Sequence, residues 1–238
     1  TYEHPEALEA ALAEQLAAGP DAVLMDVSRL ADLTVIGALL RQHGAHRPVL
    51  AVGPSGVAQA WCADRDPVTE DALPRPKAGP VLVLAGSLSP VTRRQVAEAT
   101  AYRHLIVDPA ALVQNTAAAD PVAAEICRWL DAGEDVLAVT APPDEAAVPP
   151  AAAAAATAAL LFRVMARRPV RRLGIAGGDT SSLGARALDL WGLSHAGAMA
   201  PGVALCRGHS DNPALDGLEI MLKGGQMGAP DLLAQFRT

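Results

Sequence analysis

The chain has 238 residues, a formal net charge of −7 and a pI near 5.3. That balance excludes a basic nucleic-acid-binding face but leaves room for a local cationic pocket around one anionic ligand. Hydrophobic residues are 51% of the chain and aromatics 3%, so alanine, valine and leucine must build the core, which suits helices packed closely on a sheet and offers few platforms for stacking bases.

In chain order, Leu8, Leu12 and Leu16 give Pro5–Ala18 the spacing of an amphipathic helix, closed by Gly19-Pro20. Ala22–Val27 reads as a short buried strand, Leu30–Gln42 as a helix stopped near Gly44, and Val49–Val52 as a second strand. This strand runs into Gly53-Pro54-Ser55-Gly56 and a helix reaching Cys62. Alternation of strand and helix favours a parallel sheet. Residues 63–80 carry four prolines, mixed charge and no periodicity, the marks of a linker or hinge.

Beyond it, Val81–Leu84 is a strong strand, followed by the turn Gly86-Ser87-Leu88-Ser89-Pro90 and a helix over Val91–Tyr102. Strands are expected at His104–Val107 and Val136–Thr140, with a helix near Pro121–Ala132 between them. Pro142–Pro150 reads as an exposed loop, and the alanine run at 151–156 as a helix continuing to Met165. Leu173–Ala176 is a strand ending at Gly177-Gly178, with a helix expected over Leu183–Trp191. Val203–Arg207 and Leu218–Leu222 read as strands and Asp231–Phe236 as a terminal helix. The fold class is therefore α/β: two α/β units with mainly parallel sheets in three layers.

Cys62, Cys127 and Cys206 are scattered and odd in number, which fits reduced thiols rather than a disulfide framework or metal knuckle. No apolar run of about 18 residues exists to span a bilayer. The expectation is a cytoplasmic protein with neither membrane nor nucleic-acid partner.

Three glycine turns follow strands of the second unit: Gly86-Ser87-Leu88-Ser89, Gly177-Gly178-Asp179-Thr180-Ser181, and Lys223-Gly224-Gly225-Gln226-Met227-Gly228. Glycines admit positive φ and close main-chain approach, and a helix start offers unpaired N–H groups and a positive dipole end. In open α/β sheets ligands bind beyond the carboxyl ends of strands, so the three turns are expected to converge on one phosphate-holding crevice. Ser87, Ser89 and Thr180 would donate to phosphate oxygens, Lys223 would neutralise charge, and Asp179 would hold Mg²⁺ directly or through water. Glycine turns also serve simply to connect strands to helices, which is the plainer reading of any one of them. A Walker A loop and a Gly-x-Gly-x-x-Gly crossover are absent.

The six histidines show no metal-ligand spacing. Arg167-Arg168 and Arg171-Arg172 read as a solvated cluster facing a loop. Trp129 and Trp191 read as helix core anchors, with an adenine wall as the second reading of Trp191.

The same residues resemble the four-carbon acid sugar kinases, which phosphorylate threonate, erythronate and 3-oxo-tetronates with ATP. Gly86-Ser87-Leu88-Ser89-Pro90-Val91-Thr92 with Gln95 is similar to the family's Gly-Ser-Cys-Ser-Pro-Val-Thr segment, and Gly177–Ser181 to its Gly-Gly-Asp-Thr-Ser signature. Pro201-Gly202 and Leu222–Gly228 resemble its Pro-Gly-x-Pro and Leu-Lys-Ser-Gly-x-Phe-Gly ending. The resemblance implies that residues 1–62 are the last part of a sugar-acid-binding domain, 63–80 a linker and 81–238 a nucleotide-binding domain. It implies ATP and Mg²⁺ as cofactors and a small sugar acid as substrate, and it admits a homodimer. Catalysis would fall to Asp179 and Lys223, and nucleotide contact to Ser87, Ser89, Gly177, Gly178, Asp179, Thr180, Ser181, Lys223, Gly224, Gly225 and Gly228. Leu88, Gly224 and Met227 depart from the family's cysteine, serine and phenylalanine. The family's Ala-Asp-Asp-Leu-Thr-Gly segment, where the resemblance places the base for the substrate proton, stands nowhere in this chain. A non-catalytic nucleotide- or partner-binding module is accordingly the alternative to a kinase. An isomerase or phosphatase using the same crevice without ATP is a third reading.

Overall fold

The computed structural model describes residues 4–65, 78–140 and 148–238. Most of the expected linker, and the loop expected from Pro142 as far as residue 147, lie outside the described residues. The chain divides into two compact units, Thr1–Thr69 and Glu70–Thr238.

The second unit is built on one seven-stranded sheet in the order β2-β3-β1-β4-β7-β6-β5. Its strands are β1 (Val81–Ala85), β2 (Arg103–Ile106), β3 (Val136–Val139), β4 (Arg172–Ala176), β5 (Gly192–Ala200), β6 (Val203–His209) and β7 (Glu219–Lys223). The first four and β7 run parallel, while β6 and β5 are antiparallel additions on one side.

Every residue of β1, β3 and β4 is buried, as expected of parallel strands covered on both faces. The alternating side chains of β1 divide between two cores. Leu82 and Leu84 pack with Ala123, Ile126, Leu160 and Leu161 of helices α6 (Ala119–Asp131) and α7 (Pro150–Arg167). Val81, Val83 and Ala85 pack with Leu232, Leu233 and Phe236 of the terminal helix α9 (Leu232–Arg237). The result is three layers, helix-sheet-helix. Helices α4 (Pro90–Glu98) and α9 lie together on one face, and α6, α7 and α8 (Gly178–Ala187) on the other.

A buried ion pair joins β4 to β7 at their amino ends. Arg172 Nη1 lies 2.6 Å from Glu219 Oε2 with both side chains 4% exposed. The same guanidinium donates from Nε to Phe236 O at 2.8 Å and stacks over the Phe236 ring. Arg172 is thus a core residue, not part of a solvated cluster. Arg167 and Arg168 instead reach Asp120 and Asp131 on α6.

One further expectation differs, and two elements had none. Helix α8 starts at Gly178, five residues before Leu183, because Gly177 caps it and Asp179–Ser182 form its first turn. Strand β5 was not legible because Gly192–Ala200 is glycine- and alanine-rich, lies at the sheet edge and is bulged twice. The short helix α5 (Pro109–Gln114) was likewise unmarked by periodicity; it is set by the Asp108 side chain accepting from Ala110 N at 2.8 Å and by Pro109 in its first turn.

The first unit contains α1 (Pro5–Ala17), α2 (Leu30–Gly44) and α3 (Gly56–Cys62). Leu33, Ile36 and Ala60 form its small core. Gly37 lets the α3 backbone press on α2, since a Cβ there would strike the Ala60 carbonyl. Ala22–Val27 and Val49–Val52 do not form strands. A strand exists through its ladder partner, and among the described residues none pairs with these segments. Leu24, Leu50 and Val52 are consequently 87%, 89% and 86% exposed.

Candidate functional site

The chain leaves β1 towards β3 and β2, and leaves β4 towards β7, β6 and β5. The sheet therefore reverses its direction of growth between β1 and β4, the place where open α/β sheets bind ligands. The Gly86, Gly177 and Lys223 turns leave the carboxyl ends of β1, β4 and β7 at that point. The ladder continues into them, with Gly86 N donating to Ala176 O at 2.8 Å and Gly177 N to Lys223 O at 3.0 Å.

Glycine is required where the turns meet. A Cβ on Gly86 would collide with the Thr180 side chain, and one on Gly225 with Ser87 Oγ and, at 3.1 Å, Ser89 Cβ. Gly177 has φ +123° and caps α8 beside the Gly86 carbonyl, a conformation a side chain would strain. Pro201-Gly202, the β5–β6 connection, packs on the third turn, since a Cβ on Gly202 would meet Met227 Sδ at 3.0 Å.

The polar side chains divide into those committed and those available. The buried Thr180 hydroxyl donates to Gly86 O at 3.3 Å, and Ser181 Oγ donates to Ile175 O at 3.1 Å. Ser89 Oγ caps α4 by accepting from Val91 N at 3.2 Å, and Ser87 Oγ accepts from Ser89 N at 3.2 Å. Both serine hydroxyls keep a proton to donate. Asp179 is exposed in the first turn of α8, where the N–H groups of Gly178, Asp179 and Thr180 have no carbonyl partner within the helix. Leu88 is 46% exposed, so its substitution for a cysteine is not a matter of core packing.

Lys223 is the unusual residue. Its side chain is among the largest fully buried ones, yet no carboxylate among the described residues pairs with it. Its ammonium donates to Thr92 Oγ1 at 2.8 Å and lies 3.5 Å from Gly225 O. Burial lowers its pKa from 10.5 to about 8. A buried cation without a counter-ion, at the meeting of three glycine turns, fits an anionic group. No group of three or more His, Cys, Asp or Glu side chains among the described residues could hold a metal ion alone.

Other candidates lie elsewhere. Gly192 pairs with His209 and Arg207 with Glu219, whereas Val203 pairs with Lys223. Trp191 thus sits at the end of the sheet opposite the turns, 71% exposed and stacked on His209. It is neither a core anchor nor a wall of this crevice. Trp129 is partly buried against the α6–α7 core, with the Arg103 guanidinium over its ring.

Residues 82–233 match a family model described as a nucleotide-binding C-terminal domain, and residues 1–61 one described as a sugar-binding N-terminal domain. A D-threonate kinase of Cupriavidus necator is 32% identical over 221 residues, 89% of this chain and 52% of that protein. A 3-oxo-tetronate kinase of the same organism is 32% identical over 242 residues, 93% of this chain and 53% of that protein. The chain thus spans about half the length of these relatives. Among solved structures, a Haemophilus influenzae protein is similar with a TM-score of 0.66 at 20% identity, covering 98% of this chain and 57% of the other. A Bordetella bronchiseptica protein, solved as a domain-swapped dimer with bound citrate, gives 0.58 at 23%, covering 95% and 55%. These two likenesses show the shared fold.

Proposed function

The chain belongs to the four-carbon acid sugar kinase family, and from that premise we propose that it carries the ATP-holding half of a kinase acting on a four-carbon sugar acid of the threonate, erythronate or 3-oxo-tetronate type. The observation that carries this reading is Lys223, a buried ammonium with no carboxylate partner among the described residues, set where three glycine turns meet. The phosphates of ATP would supply the missing negative charge.

In this scheme the Ser87 and Ser89 hydroxyls and the free N–H groups at the start of α8 donate to phosphate oxygens. Gly177, Gly178, Gly224, Gly225 and Gly228 keep the main chain close enough to do so. Thr180 and Ser181 act by tying the turns together, since their hydroxyls are already committed. Mg²⁺, held by Asp179 together with phosphate oxygens, would neutralise charge on the transferring group, a ligand set that does not need a carboxylate cluster. The substrate hydroxyl attacks the γ-phosphorus in line, the bond to the β–γ bridging oxygen breaks so that ADP leaves, and the hydroxyl proton passes to a general base; the part of the residues named here is positioning and charge stabilisation.

Calorimetric titration with ATP and Mg²⁺ tests the site. Saturable binding weakened at least about tenfold by Asp179→Ala is expected, a loss of about 1.4 kcal/mol. Absence of binding, or full affinity in the variant, would overturn the assignment.

A second reading, a non-catalytic nucleotide- or partner-binding module, draws on the segments at 49–52 and 22–25 of the first unit, which form no strand and expose Leu24, Leu50 and Val52. An ADP-release assay with threonate and erythronate separates the two. Turnover removes the module reading, and ATP binding without turnover favours it.

A further inference from the structure

Helix α4 turns two buried side chains, Thr92 and Gln95, towards the Lys223 turn, and none of the phosphate contacts above uses them. They are three residues apart, hence on one face of the helix, and are 1% and 0% exposed. Thr92 Oγ1 donates to Gly225 O at 2.8 Å and accepts from Lys223 Nζ at 2.8 Å. A hydroxyl has one proton, and because the Gly225 carbonyl takes it, the oxygen lone pairs must face the ammonium.

Gln95 holds the rest of the turn. Its Nε2 carries two protons and lies 3.0, 3.1 and 2.9 Å from the carbonyls of Met227, Gly228 and Ala229, so two of these acceptors share one proton. Its Oε1 is buried without a hydrogen-bond partner among the described residues. Flipping the amide would set that oxygen against three carbonyl oxygens, so the observed orientation is the one chemistry allows. Gly228 has φ +87°, and a Cβ there would lie 3.2 Å from the same nitrogen. The carbonyl that orients Thr92 therefore belongs to a turn that Gln95 has already fixed.

We propose that Thr92 is a positioning residue for phosphate binding: its hydroxyl, oriented by the Gly225 carbonyl in a turn braced by Gln95, aims the Lys223 ammonium into the crevice. The proposal rests on the reading of Lys223 as the phosphate-facing cation. Lysine has a flexible four-carbon stem whose ordering costs entropy, and a fixed acceptor removes that cost before the ligand arrives. A serine at position 92 would supply the same oxygen, whereas valine fills the volume without it.

The test measures Mg-ATP affinity by calorimetry for the full chain and for Thr92→Ser, Thr92→Val and Thr92→Ala, with thermal unfolding followed for each. Thr92→Val is expected to weaken ATP at least tenfold while Thr92→Ser stays within threefold of wild type. Thr92→Ala takes the place of the valine variant if that chain does not fold cooperatively. Wild-type affinity in the folded variant lacking the hydroxyl overturns the proposal, as does an equal loss in the serine variant, which would show that shape rather than the hydroxyl matters. A wild-type chain that binds no ATP overturns the site assignment itself, and this proposal with it.

Discussion

Lys223 is a buried cation whose acceptors are a hydroxyl and, more distantly, a carbonyl. That is a costly arrangement for an empty site, because neither partner carries charge. Its pKa falls to about 8 because burial penalises the charged form, so the ammonium is present at pH 7 and lost above about 8. ATP affinity should therefore drop as pH rises from 7 to 9, and a Lys223→Met variant should bind weakly without that drop. The stability effect has the opposite sense. In the window from about 8 to 10.5 the unfolded chain holds the proton more tightly than the folded one, so this residue's penalty is full below that window and relieved across it. The difference in melting temperature between wild type and Lys223→Met, without nucleotide, should shift in favour of wild type over that range. A constant difference would show that Lys223 does not titrate there. The glycines give a second prediction at this scale. Gly225→Ala drives a methyl into Ser87 Oγ, and overpacking of that kind costs about 1–3 kcal/mol, to be read as a lowered melting temperature with weaker ATP binding.

At the level of elements, the sheet is fastened at both ends by different means. At the carboxyl ends the turns interlock through glycines and hydroxyls, whereas at the amino ends of β4 and β7 the buried Arg172–Glu219 pair joins the strands and ties them to α9. Removing one partner leaves the other charge buried and unpaired, so Arg172→Ala should destabilise by about 3–5 kcal/mol in denaturant unfolding. A loss below 1 kcal/mol would show that water reaches Glu219. Elements whose own residues carry a period or a cap were legible in the sequence: β1, α6, α7 and β4 are runs whose burial or cap is local. Strand β5 was not, since Gly192–Ala200 owes its conformation to pairing with β6. The start of α8 was displaced because Gly177 is a cap only in a conformation the sequence does not display.

Across the whole molecule, the second unit has two cores, one on each face of its sheet. Among the described residues of the first unit, Leu33, Ile36 and Ala60 form one small core cluster beside exposed Leu24, Leu50 and Val52. A chain of residues 78–238 is accordingly expected to unfold cooperatively and to bind Mg-ATP within about threefold of the full chain. Loss of either property would show that the first unit supports the second.

By itself, the sequence was enough to establish the α/β class, the three glycine turns and the resemblance that assigns them to a sugar acid kinase family, because these reside in local periodicity and in residue types that few backbones tolerate elsewhere. The tertiary structure decided which polar groups are spent on the fold. It placed the Thr180 hydroxyl on Gly86, moved Trp191 to the far end of the sheet, buried Arg172 against Glu219 and set Thr92 behind Lys223. Those assignments depend on contacts between residues distant in the chain, 94 positions for Thr180 with Gly86 and 131 for Thr92 with Lys223, and no local pattern encodes such a distance.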